Sequence, residues 1–283
     1  MTASHALRAL VGLTAREVVK FFQQRGRLLS AFVRPALWLF VFAAGIGSTK
    51  GIDPGMVSPY PVQSVNYFEY IVPGLIGMVL LFSGMQSSLS MVYDREMGVM
   101  RLLLTAPLPR WYLLTAKLFA GTMLSILQVY VFLIVCLPLI GMQISLNTPL
   151  LGWVWMFPAA VLFGLLLGAA GLALSVHIRQ LENFAGTMNF VIFPMFFISS
   201  ALYPLWRLLE NGAEIVWWLA QFNPFTYGVE LVRWASQGQI HWHSLIVTVA
   251  CTIVFLAAAV LGYDPQRGML RRRPGGGGPP AGG

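Results

Sequence analysis

Charge is what this 283-residue chain has least of: 10% of its residues are Asp, Glu, Lys or Arg, against about 25% in a soluble globular domain. With 57% hydrophobic residues and a mean hydropathy of +0.72, the polar remainder is too small to clothe a water-soluble fold. That excludes soluble enzymes and soluble nucleic-acid-binding domains. Cysteine is nearly absent as well. Cys136 and Cys251 both sit in apolar runs, which excludes a disulfide framework and a Cys-rich metal site. The chain lacks the G-x-S-x-G, H-E-x-x-H and C-x-x-C signatures of common catalytic and redox centres. Its acids fall at the ends of apolar runs rather than in their middles, which excludes an intramembrane aspartyl protease or a proton relay. Lys20, Lys50 and Lys117 all lack the preceding glycine of a phosphate-binding loop, so any ATP consumed must be hydrolysed by another chain. His241 and His243 flank Trp242 without an evident third ligand, and they read as structural or interfacial rather than as a metal site. His177, beside Arg179, reads as a loop residue.

What the chain has instead is long uncharged runs. Residues 70–93, 118–178, 183–206 and 234–263 carry no Asp, Glu, Lys or Arg, and residues 35–49 extend to a span if Arg34 snorkels toward an end. The run at 118–178 holds two helices with a turn at Gly141–Pro149. These runs predict an all-α polytopic membrane protein with six transmembrane helices near 28–48, 69–92, 114–138, 151–175, 184–203 and 244–263. An even number places both termini on one side. That side carries 15 of the 18 Lys and Arg, whereas the acids divide equally, so both termini are expected in the cytoplasm. The net charge of +8 then belongs to loops beside an anionic bilayer and not to a nucleic-acid partner. A cleaved leader is not expected, because about 27 polar and amphipathic residues precede the first apolar stretch and no small-residue cleavage pattern follows it.

Three regions outside the spans have a definite character. Over residues 1–27, an amphipathic helix from about residue 5 sets Leu7, Leu10, Val11, Val18, Phe21 and Phe22 against Arg8, Arg16, Lys20, Gln23 and Arg27. It reads as an interfacial anchor or as a docking element. At 93–121 the chain reads YDREMGVMRLLLTAPLPRWYLLTAKLFAG. Asp94 and Glu96 suit the first turn of a short helix that Pro107 and Pro109 end. Met97, Met100 and Leu104 share one face, and so apolar a helix either occupies a protein groove or lies on lipid. Residues 204–240 mix Arg207, Glu210, Glu214, Glu230 and Arg233 with several aromatics, which suits short interfacial or re-entrant helices broken at Asn223–Pro224. Glu230 and Arg233, three apart, can pair. Gly164, Gly168 and Gly171 have the spacing for close helix packing. The tail 264–283, rich in Arg, Gly and Pro, is compositionally disordered.

Three stretches resemble one family, the membrane subunits of type-2 ABC exporters, which include bacterial drug, nodulation-factor and polysaccharide permeases. Glu96, Gly98, Leu103, Pro107, Arg110 and Lys117 match the family's E-x-G-x-x-x-x-L-x-x-x-P-x-x-R-x-x-x-x-x-x-K pattern. FFISSALYPL at 196–205 is similar to the segment that ends the fifth span. Asn223, Pro224, Tyr227 and Arg233 fall on N-P-x-x-Y-x-x-x-x-x-R. The resemblance implies a cytoplasmic coupling helix at 94–106 whose contact set is Glu96, Gly98, Met100, Leu103, Pro107 and Arg110. It further implies a second permease chain, two P-loop ATPase subunits that bind ATP and Mg, no cofactor in this chain, and a bacterial inner-membrane location. The second and fifth spans would line the route. An extracellular re-entrant motif would comprise Asn223, Pro224, Tyr227, Glu230 and Arg233. The region between Pro204 and Asn223 departs from the family pattern in showing no clear proline-led helix start. Candidate pathway residues are Gln86, Ser87, Asn189, Ser199 and Ser200, although such groups also serve helix-to-helix hydrogen bonds. Two other functions compete with export, a scaffold of the same fold that moves nothing and a membrane-embedded lipid-modifying enzyme.

Overall fold

A computed structural model describes residues 3–23, 33, 35–38, 40–41, 67–97, 110–141, 149–178 and 180–262. Every regular element in this set is helical. In chain order they are α1 (Ala3–Gln23), α2 (Tyr67–Glu96), α3 (Arg110–Gly141), α4 (Leu150–His177), α5 (Leu181–Phe197), α6 (Leu205–Glu210), α7 (Glu214–Phe222), α8 (Pro224–Ser236) and α9 (Trp242–Gly262).

Four of these, α2, α3, α4 and α9, are long and apolar enough to cross a bilayer. They correspond to the expected spans at 69–92, 114–138, 151–175 and 244–263. The expected first span, 28–48, lies mostly outside the described residues; those described within it, Val33, 35–38 and 40–41, are helical. There Trp38 sets its ring edge-on against Phe196 and Phe197 of α5, at 6.2 and 5.7 Å between centroids. The expected fifth span, 184–203, is shorter than the hydropathy predicts. Helix α5 has 17 residues and the chain turns over 198–203. The Ser199 hydroxyl bonds back to the Phe196 carbonyl and accepts from the Ala201 N–H, giving the backbone an alternative to another helical turn. Pro204 then holds the preceding residue out of the helical region.

The uniformly apolar α4 sits at the centre, packed against α2, α3, α8 and α9. Against lipid its apolar character gives it no reason to go inside; small residues that let neighbouring helices approach do. Gly164, Gly168 and Gly171 make this packing close: an added Cβ would lie 3.0 Å from Thr122, 2.6 Å from Leu118 and 2.5 Å from Ser88 respectively. The small-residue spacing therefore serves packing within one chain, against α2 and α3. Gly228 of α8 is closer still, where a Cβ would collide with the Phe163 ring of α4.

Helix α1 packs on α3 with Glu17 and Phe21 buried and Leu10 and Thr14 half-buried, while Val11, Val19 and Phe22 stand exposed. The apolar stripe expected from the sequence is thus divided between the protein and an outward face suited to an interface. Between α5 and α9 the chain makes three short helices. Helix α8, 13 residues long, extends about 20 Å at 1.5 Å per residue, too little for a hydrocarbon core of about 30 Å. Both α6 and α8 end on a glycine with positive φ, Gly212 at +71° and Gly238 at +75°. In each, the next N–H reaches back five residues: Ala213 to Leu208 O at 2.8 Å and Gln239 to Trp234 O at 3.1 Å. Helix α6 is led by Pro204, so this region does have a proline at its helix start. The tail 264–283 lies outside the described residues.

Gly228→Ala is expected to destabilise the fold by about 1–3 kcal/mol through overpacking against Phe163. The check is the thermal melt of the purified protein in detergent, and an unshifted midpoint would mean that α8 and α4 are not in this contact.

Candidate functional site

The buried charged residues of the bundle lie toward its two ends. At one end, four chain segments meet: the start of α2, the turn after α5, the end of α7 and the start of α8. Each brings backbone groups that no helix satisfies, and in a membrane protein those groups need internal partners. The N-P-x-x-Y-x-x-x-x-x-R stretch supplies them. Asn223 caps α8 by accepting from Phe225 N–H at 3.0 Å, while its amide donates to Met195 O at 2.7 Å and Ile198 O at 2.6 Å at the end of α5. Pro224 takes the first helical position, where a missing N–H costs nothing. Thr226 donates to Ala220 O at 2.8 Å and Tyr227 to Gln221 O at 2.9 Å, which closes the end of α7.

Arg233 finishes this cap from the last turn of α8. Its residue is 4% exposed. One guanidinium nitrogen pairs with Glu230, and the other donates to Ser200 O at 2.7 Å and Tyr70 O at 3.3 Å. The cation also lies 3.9 Å from the centre of the Tyr70 ring, and the Tyr70 hydroxyl donates to Ser200 O at 2.8 Å. Sequence reasoning anticipated the Glu230 partner but not Tyr70 or the Ser200 carbonyl, which lie 163 and 33 residues away in the chain.

The other end holds a second buried charge pair. Lys117 Nζ of α3 lies 2.5 Å from Asp94 Oδ2 of α2, and Arg16 of α1 approaches the other Asp94 oxygen at 3.6 Å. Asp94 and Lys117 are 1% and 3% exposed. Asp94 and Glu96 belong to the last turn of α2 and not to the first turn of a following helix, which corrects the expectation from charge and helix dipole. Tertiary partners override that preference: Asp94 has its two cations, and Glu96 accepts from the Leu181 N–H that opens α5, at 3.2 Å. Of the remaining coupling-helix residues, Gly98, Met100, Leu103 and Pro107 lie outside the described residues, and Arg110 is the first residue of α3.

The candidate pathway residues separate. Ser199 and Ser200 are fully buried in the turn after α5, and Gln86 and Ser87 are half-buried, with Ser87 packed on Gly121. Asn189 is exposed at the middle of α5. The same face of α5 carries Glu182, Asn183 and Gly186 toward the Asp94 end and Phe190, Phe193 and Phe197 toward the Arg233 end, all exposed. No group of three His, Cys, Asp or Glu among the described residues could hold a metal. His241 is stacked on Trp234 at 5.1 Å, with Nδ1 2.7 Å from the Ser244 hydroxyl.

The family model for "ABC-2 type transporter" matches residues 8–236, most of the chain. The chain belongs to the ABC-2 type transporter family. The ABC-2 chain is 26% identical over 241 residues to a putative transport permease ycf38 of Cyanophora paradoxa, covering 82% of this chain and 76% of the relative. It is 25% identical over 233 residues to the ycf38 permease of Porphyra purpurea, covering 81% and 74%. Nodulation protein J of Rhizobium leguminosarum bv. viciae is 22% identical over 259 residues, covering 87% of each. Both polar clusters of this ABC-2 chain, from Arg16 to Arg233, lie within the matched residues. As a member of a transport family, it is read as a transport permease subunit and not as an enzyme.

Arg233→Lys is expected to lower stability by about 1–3 kcal/mol, because a single ammonium keeps the charge but cannot replace a planar fork that meets Glu230 and two carbonyls. Melting of the purified variant in detergent checks this, and wild-type stability would deny the clamp. A pH effect follows at His241. Burial pushes its imidazole below the ordinary value, Glu230 opposes that shift, and His243 adds to it. A value lowered in the folded state gives stability that is complete above about pH 6.5 and is lost as pH falls. His241→Gln should therefore flatten the melting midpoint between about pH 5 and 7, and an unchanged slope would place the titration elsewhere.

Proposed function

We propose that this chain is the membrane subunit of an ATP-driven exporter for apolar or amphipathic substrates. A second permease chain, identical or related, completes the path, and two cytoplasmic P-loop ATPases bind the ATP and Mg and do the hydrolysis. The assembly resides in a bacterial inner membrane with both termini in the cytoplasm and six spans per chain, the first within 28–48 and the fifth formed by α5. Helix α1 lies in the cytoplasmic interface, and the segment 94–106 sits in a groove of the ATPase. Helices α6 to α8 make the outer re-entrant structure.

One observation carries this reading beyond family membership: the open face of α5. Asn189 at the middle of a membrane-embedded helix, with Asn183 and Glu182 on the same face, is costly against lipid. Such a face is tolerated where it borders water or another protein chain. Its polar half and its phenylalanine half suit a cargo that has both characters. Helix α2 packs beside α5 and contributes the adjoining wall. Closure of the ATPases on nucleotide would then shift rigid helix groups and exchange access between the two sides.

The test is purification of the tagged chain from native membranes with mass spectrometry of what accompanies it. A soluble P-loop ATPase at near-equal stoichiometry is expected, and its loss in Glu96→Arg or Leu103→Asp, with membrane insertion intact, places the contact on the 94–106 segment. Recovery of the chain without an ATPase under mild extraction would overturn the proposal and favour a scaffold role.

A further inference from the structure

The last turn of α2 is tied to four other helices at its end of the bundle. Asp94 takes the buried Lys117 of α3 at 2.5 Å and Arg16 of α1 at 3.6 Å. The Arg95 guanidinium donates to Ser175 O in the last turns of α4 at 3.3 Å. Glu96 accepts from Leu181 N–H, the first residue of α5, at 3.2 Å. Three consecutive residues on a helix point about 100° apart, which is how one turn reaches neighbours on several sides. The signs are also matched to the neighbours. An arginine meets the carbonyl end of α4, and a carboxylate meets the N–H end of α5, each the favoured charge for that terminus.

Two acids in the C-terminal turn of α2 oppose its own dipole, so local helix preference does not explain Asp94-Arg95-Glu96. Their external partners do. The segment that continues from Glu96 is the one proposed above to meet the ATPase.

We propose that Asp94, Arg95 and Glu96 are a positioning triad that carries displacement of the 94–106 segment directly to α1, α3, α4 and α5. Within it, Glu96 acts as the cap of α5 through its carboxylate oxygen, and its charge is secondary. The inference about transmission rests on the proposed function, whereas the capping role stands on this chain alone. Glutamine keeps an acceptor oxygen on a side chain of the same length and alanine removes it, so the two substitutions separate a cap from an ionic contact with a partner.

The experiment is hydrogen exchange of the full chain in nanodiscs, read at residues 181–184 and 113–118. Glu96→Ala should speed exchange in the first turn of α5 by roughly tenfold, the effect of losing a cap, and Glu96→Gln should recover most of the protection. Asp94→Lys combined with Lys117→Asp should restore protection at 113–118 relative to either single change. In that double variant α1 should still exchange faster, because Arg16 then faces a lysine. Unchanged exchange at 181–184 in Glu96→Ala, or equal loss in the glutamine and alanine variants, would overturn the capping role whether or not an ATPase is ever recovered. With the ATPase bound, nucleotide should alter exchange at 181–184 in the wild type. Glu96→Ala should abolish that response and Glu96→Gln should restore it, and a response that survives alanine would refute transmission through Glu96.

Discussion

Burying the Arg233 guanidinium is the constraint on which the architecture at its end of the bundle depends. A lone cation removed from water is prohibitive, yet this one has a carboxylate, two carbonyls and an aromatic face around it. Those partners come from α8, from the turn after α5 and from the start of α2. Arg233 therefore fixes three segments relative to one another that no hydrophobic pattern could fix, since lipid contact is as favourable to leucine as protein contact. Helix α5 can stop short at Phe197 because Asn223 and Tyr203 donate to the carbonyls at its end, and Arg233 and Tyr70 donate to that of Ser200 in the turn beyond.

The opposite end uses the same physics with a different emphasis. Exchanging a buried ion pair for apolar residues often costs a fold nothing, so Asp94 and Lys117 are weak evidence of stability as such. What the pair supplies is a definite relation between α2 and α3, with Arg16 drawing α1 into the same point. Between the two charged ends the middle of the bundle has no buried charge among the described residues and is close-packed around α4, where a methyl group at Gly228 would collide with the Phe163 ring and one at Gly164 or Gly168 would press on Thr122 or Leu118.

The sequence disclosed most of what depends on solvent preference and less of what depends on contacts distant in the chain. Uncharged runs located α2, α3, α4 and α9, because the bilayer acts on every residue of such a run alike. The break at Asn223–Pro224 was visible because the cap and the proline are local chemistry. Boundaries failed where a tertiary partner outweighed a local rule. Asp94 and Glu96 read as a helix start, yet they end α2, because Lys117, Arg16 and the α5 N-terminus lie beyond the reach of any local pattern. Hydropathy carried the fifth span to residue 203 since it registers apolar content and not the serine back-bonding that turns the chain at 198–201. Ser199 reads as a pathway group for a related reason: a hydroxyl committed to its own backbone and one open to a cargo are identical in sequence.

The distribution of restraint over the helices bears on how such a bundle can work. Helix α4 packs against four others and is buried along most of its length, with Leu151, Val154, Trp155 and Phe157 exposed near its start. Helix α5 is held at its N-terminus by Glu96 and at its C-terminal turn by Asn223 and Arg233, while between those points one face is open along its length. A helix fixed at its ends and bare along one side can tilt or rotate only as those ends permit. Polar contacts suit the ends because hydrogen bonds have direction and hold one geometry at a time, whereas an apolar seam resists sliding weakly in a lipid solvent. On the proposed function, movement of the segment leaving α2 would reach the open face of α5 through a capped helix terminus, since the Glu96 carboxylate accepts from the first N–H of that helix.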